Sequence, residues 1–230
     1  MRRILSISIA SLAAFVLLTG QASAAQTRPR LSFLRDGGAS IGWSAEGGSS
    51  PADPNNSRSL RVFVPAGGGA SAYTYGRSEA LIGIRGLTLA QIDHLGFDSK
   101  GYLGAGAPRI SLGTFGDDGA HTYFLSAYYC NEPLSGGWVT SDFIHDTTCL
   151  IWRDEETTPL AGWTAAAAVA GANNEHVVSN PNDWFFIQDE PTAAQGGSVT
   201  VYVDRLTVQN WMWVRGGFRG AKNCNTASCI

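Results

Sequence analysis

Lysine is almost missing from this chain: Lys100 and Lys222 are the only two, and charged residues of every kind make up 15% of its 230 positions. With a formal net charge of −3, such a sequence has no electrostatic footprint for nucleic acid. After the first eighteen residues no apolar run is long enough to cross a bilayer. The signatures of common chemistry are missing too. His94, His121, His145 and His176 are scattered, with no His-x-His or His-Glu-x-x-His spacing for a metal. There is no Gly-x-Ser-x-Gly nucleophile elbow and no Glu-x-Asp-x-x-Glu set as in sandwich glucanases. Gly67-Gly68-Gly69 stands between no strand and helix, so it is not a phosphate loop. No internal repeat and no second domain can be read.

Glycine is plentiful, at 28 residues, and with so few charges this suits a turn-rich all-β protein. The N-terminus has the parts of a secretory signal peptide: Arg2 and Arg3, an apolar run from Ile4 to Leu18, then Ala22-Ser23-Ala24 as small residues for cleavage. We therefore expect residues 1–24 to be removed and 25–230 to form one secreted, extracellular, monomeric domain with no membrane segment left. A chain of this size buries enough surface to need neither metal nor disulfide merely to have a core. Four cysteines in an exported chain imply two disulfides, with three possible pairings. We favour Cys130–Cys149, which end and begin strand-like segments, and Cys224–Cys229, close together in a polar tail.

Ser198 to Trp211 is the clearest strand. Val199, Val201 and Val203 fall on one face, but Leu206 and Val208 on the opposite parity. A parity flip within one strand requires an inserted residue, which predicts a bulge at Asp204-Arg205. Other strands are expected at Leu31–Leu34, Ala39–Trp43, Ser59–Pro65, Glu79–Arg85, Ile92–Asp98, Pro108–Leu112, Thr122–Tyr129, Cys149–Arg153, His176–Ser179, Trp184–Gln188 and Trp211–Val214. Thr88-Leu-Ala-Gln91 reads as a capping box opening one helical turn. A short alanine-rich helix is expected over Thr164–Ala170, capped by Thr164 and stopped by Gly171. Residues 25–30 and about 215–230 read as flexible or disulfide-tied ends. Half-buried strands of this kind hide their apolar faces by packing two antiparallel sheets together, so the fold expected is a two-sheet antiparallel sandwich with one or two short helical turns.

Trp163 with the alanine helix, His176-Val-Val, Trp184-Phe-Phe-Ile-Gln-Asp-Glu190 and Thr200-Val-Tyr-Val-Asp-Arg-Leu-Thr-Val208 together resemble the closing half of bacterial extracellular jelly-roll modules of the carbohydrate-binding type. The resemblance covers about the last third of the chain. It implies a jelly-roll sandwich and a polysaccharide or other glycan as partner. It also implies a structural calcium near the ends of the terminal strands, for which Asp204 is the candidate ligand.

Seven tryptophans are many for such a chain, and an aromatic ring facing solvent can stack on a sugar. Trp138 follows Gly136-Gly137 in a loop context, so we expect its ring to be presented outward, with Thr140 and Asp142 placed to bond hydroxyls. Asp189-Glu190 are adjacent and would face opposite ways on a strand, so they form no acid pair. His121 with Tyr123, Tyr128 or Tyr129 leaves a Tyr–His base open. The leading expectation is a non-catalytic glycan-binding or cell-surface module. The alternatives are a polysaccharide-degrading enzyme, hydrolase or lyase, and an interaction protein without a sugar ligand. Converging carboxylates, or Tyr with His and Arg in a cleft, would favour the enzyme.

Overall fold

A computed structural model describes residues 31–35, 37–46, 48–49, 58–66, 72–76, 84–104, 108–154, 156–178, 186–188, 197–209, 211–214 and 217–220. The signal sequence, Cys224 and Cys229, Trp184 and the Asp189-Glu190 pair lie outside these residues.

The chain is mostly β. The strands, in order, are β1 Leu31–Arg35, β2 Ser40–Trp43, β3 Leu60–Val64, β4 Ala72–Gly76, β5 Leu95–Gly101, β6 Arg109–Gly116, β7 Gly119–Ser126, β8 Glu132–Pro133, β9 Trp138–Asp142, β10 Leu150–Arg153, β11 Leu160–Ala161, β12 His176–Val177, β13 Phe186–Gln188, β14 Val199–Val208, β15 Trp211–Val214 and β16 Gly217–Gly220. They form two antiparallel sheets. The first runs β1-β4-β13-β6-β7-β10-β11, with β12 also on β6. In the second, β14 pairs along β5, which continues to β9 and β8, while its other side is shared by β3 with β2 and by β15 with β16. The core lies between the apolar faces: Leu60, Val62, Val64, Phe97, Val201 and Val203 from the second sheet, and Ile110, Leu112, Tyr123, Leu125 and Ile151 from the first.

Strand β14 contains the bulge that its parity requires. Asp204 pairs with Asp98 and Thr207 with Gly96, so the register slips between them. Arg205 takes the turn at φ 48°, in the left-handed region rarely used outside glycine. The slip keeps Leu206 and Val208 in the core, each 1% exposed. It also divides the strand's second edge, so that β3 pairs before the bulge and β15 after it.

Several expectations shift. The alanine helix, α1, spans Gly162–Ala172 with Ala161 at its N-cap and no side-chain cap, so Thr164 is an interior, exposed residue. Its start is fixed by tertiary contacts: Gly162 N donates to Cys149 O at 2.8 Å, and Trp163 Nε1 to Leu89 O at 3.1 Å. The Thr88–Gln91 segment forms one 3-10 turn at Leu89–Gln91, closed by Thr88 N donating to Gln91 Oε1 at 2.9 Å. Ile84-Arg85, expected in a strand, lie in a turn. Gly217–Gly220, expected in a loose tail, pairs with β15.

Candidate functional site

Strand β9 carries the three residues singled out for ligand contact. Leu134 N donates to Trp138 O at 2.8 Å, and Gly136 and Gly137 take φ of 68° and 78° to make the turn before it. The glycines thus serve to feed Trp138 into a strand, where side chains alternate. Trp138 opens that strand and is only 5% exposed, which corrects the expectation of an outward ring. Cross-strand register puts it in one row with Lys100 and Tyr202, and the next row is Thr140, Asp98 and Asp204, all on the face turned from the core. Asp142, next along the face, accepts Ile144 N and His145 N on Oδ1, each at 3.1 Å, and faces His145 Nδ1 with Oδ2 at 2.9 Å.

Asp98 and Asp204 form a carboxylate pair that no motif announced. They are 0% and 1% exposed, with Ser49 set against both. Ser49 N donates to Asp204 Oδ2 at 2.8 Å, and its hydroxyl reaches Asp98 Oδ2 and, at 3.1 Å, Asp204 Oδ2. Arg205 Nη1 lies 3.4 Å from Asp98 Oδ2. Burial pushes the Asp98 carboxyl above the usual range, against the pull of Arg205, Ser49 and Thr140 and aided by the charge of Asp204. A calcium ion takes about six to eight oxygens. Of these, the described residues bring together the two carboxylates and the Ser49 hydroxyl, with the Arg205 guanidinium beside them.

A second polar cluster fills the far end of the core face of the first sheet. Glu175, fully buried just past α1, accepts from Arg153 Nε at 3.2 Å and Nη2 at 2.9 Å, from the Tyr123 hydroxyl at 3.2 Å and from Thr114. Arg153 Nη2 also donates to Asp118 Oδ2 at 2.6 Å. His121 stands between two carboxylates, with Nε2 3.0 Å from Asp118 Oδ1 and Nδ1 2.7 Å from Asp154 Oδ2. Gly116 makes the space for this: a Cβ there would lie 2.4 Å from Asn173 O and 2.7 Å from Glu175 Cγ. Tyr, His and Arg therefore do converge, but with Tyr123 and Glu175 at 0% exposure they do so inside the protein and not in a cleft. Burial and the Glu175 charge push the Tyr123 phenol well above its ordinary value, the wrong direction for a base. Asp118, His121 and Glu175 have the spacing of a metal set, but the Arg153 guanidinium already bridges both acids.

The outward face of the first sheet is different. Register pairs Phe124 with Trp152, on the side opposite the buried Tyr123 and Ile151. Tyr129 lies against Trp152 with ring centroids 4.4 Å apart, and Tyr128 meets Tyr129 edge-on at 4.7 Å. Arg109 caps Phe124 at 4.9 Å from the ring centre. Tyr128 is 50% exposed, and Tyr129, Trp152, Phe124 and Arg109 are partly exposed. The Cys130–Cys149 disulfide joins the two segments that carry these rings. Sequence held a signal for this array: the favoured Cys130–Cys149 pairing already brings Tyr128-Tyr129 beside the strand of Trp152.

Among the described residues no helix is long and apolar enough to cross a membrane. Comparison with protein-family models, curated proteins and solved structures finds no match.

Proposed function

We propose that this is a secreted, jelly-roll β-sandwich protein that binds a polysaccharide without cutting it, through the aromatic strip Tyr128–Tyr129–Trp152. The observation that carries the reading is the strip itself: adjoining rings on the outer face of a sheet, Tyr128 half exposed, with Arg109 at its edge. Flat aromatic surface stacks on the C–H face of a pyranose, while the tyrosine hydroxyls and Arg109 can bond to sugar hydroxyls. The disulfide beside the rings lowers the ordering cost of binding by holding them in place beforehand. The signal sequence supports an extracellular encounter with glycans.

The test is affinity electrophoresis against plant, fungal and bacterial polysaccharides. Wild type should be retarded by at least one glycan, and Trp152→Ala and Tyr128→Ala should each lose most of that retardation. Trp138→Ala, if folded, should keep it. Added salt should matter little, because stacking needs no ion pair. No retardation on any glycan would defeat the proposal. Release of reducing or unsaturated sugars would shift it to the polysaccharide-degrading alternative.

A further inference from the structure

We propose that His94 and His145 form a two-imidazole site for a zinc-class divalent ion, with Asp142 as the carboxylate that orients His145. The site shares no residue with the aromatic strip and does not depend on its binding a glycan.

The two rings arrive from different parts of the chain. His94 ends the segment before β5, and its backbone is clamped by Gln209: Gln209 Oε1 accepts from Asp93 N at 2.9 Å and His94 N at 3.2 Å, and Gln209 N donates to His94 O at 2.8 Å. His145 lies in the turn that leaves β9, held by Asp142 through its own N–H and through Nδ1 at 2.9 Å. Phe143 N donates to Leu95 O at 3.1 Å, which brings the two segments together. The ring centroids are 5.4 Å apart with the planes inclined at 61°.

Two imidazoles that share one ion stand at about this separation. With a zinc–nitrogen bond of about 2.1 Å and a ring centre about 1.1 Å beyond the nitrogen, two imidazoles at a tetrahedral angle have centres about 5.2 Å apart. In the tautomer that carries its proton on Nδ1, toward Asp142, the lone pair is on Nε2, away from the carboxylate. This is the arrangement by which an outer-shell acid fixes the tautomer and strengthens a histidine ligand. The His145 side chain is 58% exposed, so an ion can reach it and water can fill the remaining positions. Imidazole favours zinc, copper, nickel or cobalt over magnesium and calcium. Plain edge-to-face contact between two rings would give a similar distance but no metal affinity.

The probe is Zn²⁺, titrated calorimetrically into the tag-free, EDTA-stripped full chain. One saturable site should appear. His94→Ala and His145→Ala should each weaken it at least about tenfold, and Asp142→Asn by roughly 10-fold or more, as for other outer-shell partners. His176→Ala should leave it unchanged, Mg²⁺ should give no heat, and Co²⁺ should give the visible absorption of a tetrahedral ion. The absence of saturable Zn²⁺ binding below about 1 mM, or binding that survives His145→Ala, would overturn the proposal. His145 is decisive because its exposed ring can be removed without unfolding the chain, which thermal unfolding in EDTA would verify.

Discussion

Replacing Glu175 by alanine tests what the buried cluster of the first sheet does. The carboxylate is fully buried and takes hydrogen bonds from Arg153, Tyr123 and Thr114. Removing it leaves a guanidinium whose side chain is only 11% exposed, with Asp118 and the more distant Glu156 as its remaining charged partners. Stripping one partner from a buried ion pair costs about 3–5 kcal/mol. For a domain of this size that is a fall of roughly 6–20 °C in Tm. Glu175→Gln, which keeps the shape and one acceptor oxygen, should fall between the two. Arg153→Met with Glu175→Leu should recover most of the loss, because a packed apolar pair replaces two desolvated charges. The assay is chemical denaturation with matched thermal melts. A loss below about 1 kcal/mol for Glu175→Ala would refute the reasoning, since the carboxylate would then be satisfying nothing of consequence.

The same cluster predicts a pH response. Burial alone would lower the pKa of His121, but the hydrogen bonds to Asp154 and Asp118 outweigh it and the net shift is upward. A raised histidine contributes stability that is complete below its unfolded value of about 6.5 and is lost as pH rises through the folded one. Arg153 holds the Asp118 carboxyl below the usual range, so its contribution is present above about pH 4 and lost on further acidification. Wild-type stability should therefore decline above neutral pH, and His121→Gln should flatten that limb. A variant with an unchanged slope would show that His121 does not titrate between the two states.

Cys130→Ser with Cys149→Ser should cost about 3 kcal/mol by chain entropy for a separation of 19 residues, read from denaturation curves, and should also weaken glycan retention by loosening the aromatic strip. Asp204→Ala should lower stability by about 1–3 kcal/mol, because the buried Ser49 N–H loses its acceptor; a variant that lost binding at unchanged stability would contradict a structural role.

The fold was readable where local pattern decides it. The parity of Val199 to Val208 demanded a bulge at Asp204-Arg205, because a strand that must keep its apolar residues inward has no other way to change register. The Cys130–Cys149 pairing followed from two flanking strand segments. Where pairing between distant segments decides, the sequence was silent. Nothing local marks Asp98 as the partner of Asp204, because that contact exists only once β5 lies beside β14. The helix start was misplaced for a related reason: Thr164 looked like a cap, but Trp163 and Gly162 had tertiary partners that set the boundary instead. Gly136-Gly137 before Trp138 reads as freedom for the ring to turn outward. In the fold it is the turn that begins β9.

The distribution of polar and aromatic groups between inside and outside bears on binding against catalysis. Catalytic acids and bases must meet substrate, and an acid pair must keep a position open between its oxygens. Two buried ionisable sets among the described residues do the reverse. One oxygen of each carboxylate, Oδ2 of Asp98 and of Asp204, is taken up by Ser49, with Arg205 also on Asp98, and Glu175 is enclosed by Arg153, Tyr123 and Thr114. Both sets tie a loop or a helix end to a sheet, Ser49 in one case and the exit of α1 in the other. At the surface stand groups of another kind as well, stacked rings on one face and a histidine pair at the end of β9. An acid pair working at Asp98 and Asp204 would need Ser49 to lift from them. Asp98, its carboxyl raised by burial, would then return toward an ordinary carboxylate value, a change that carboxyl-resolved NMR titration in the presence of glycan would detect.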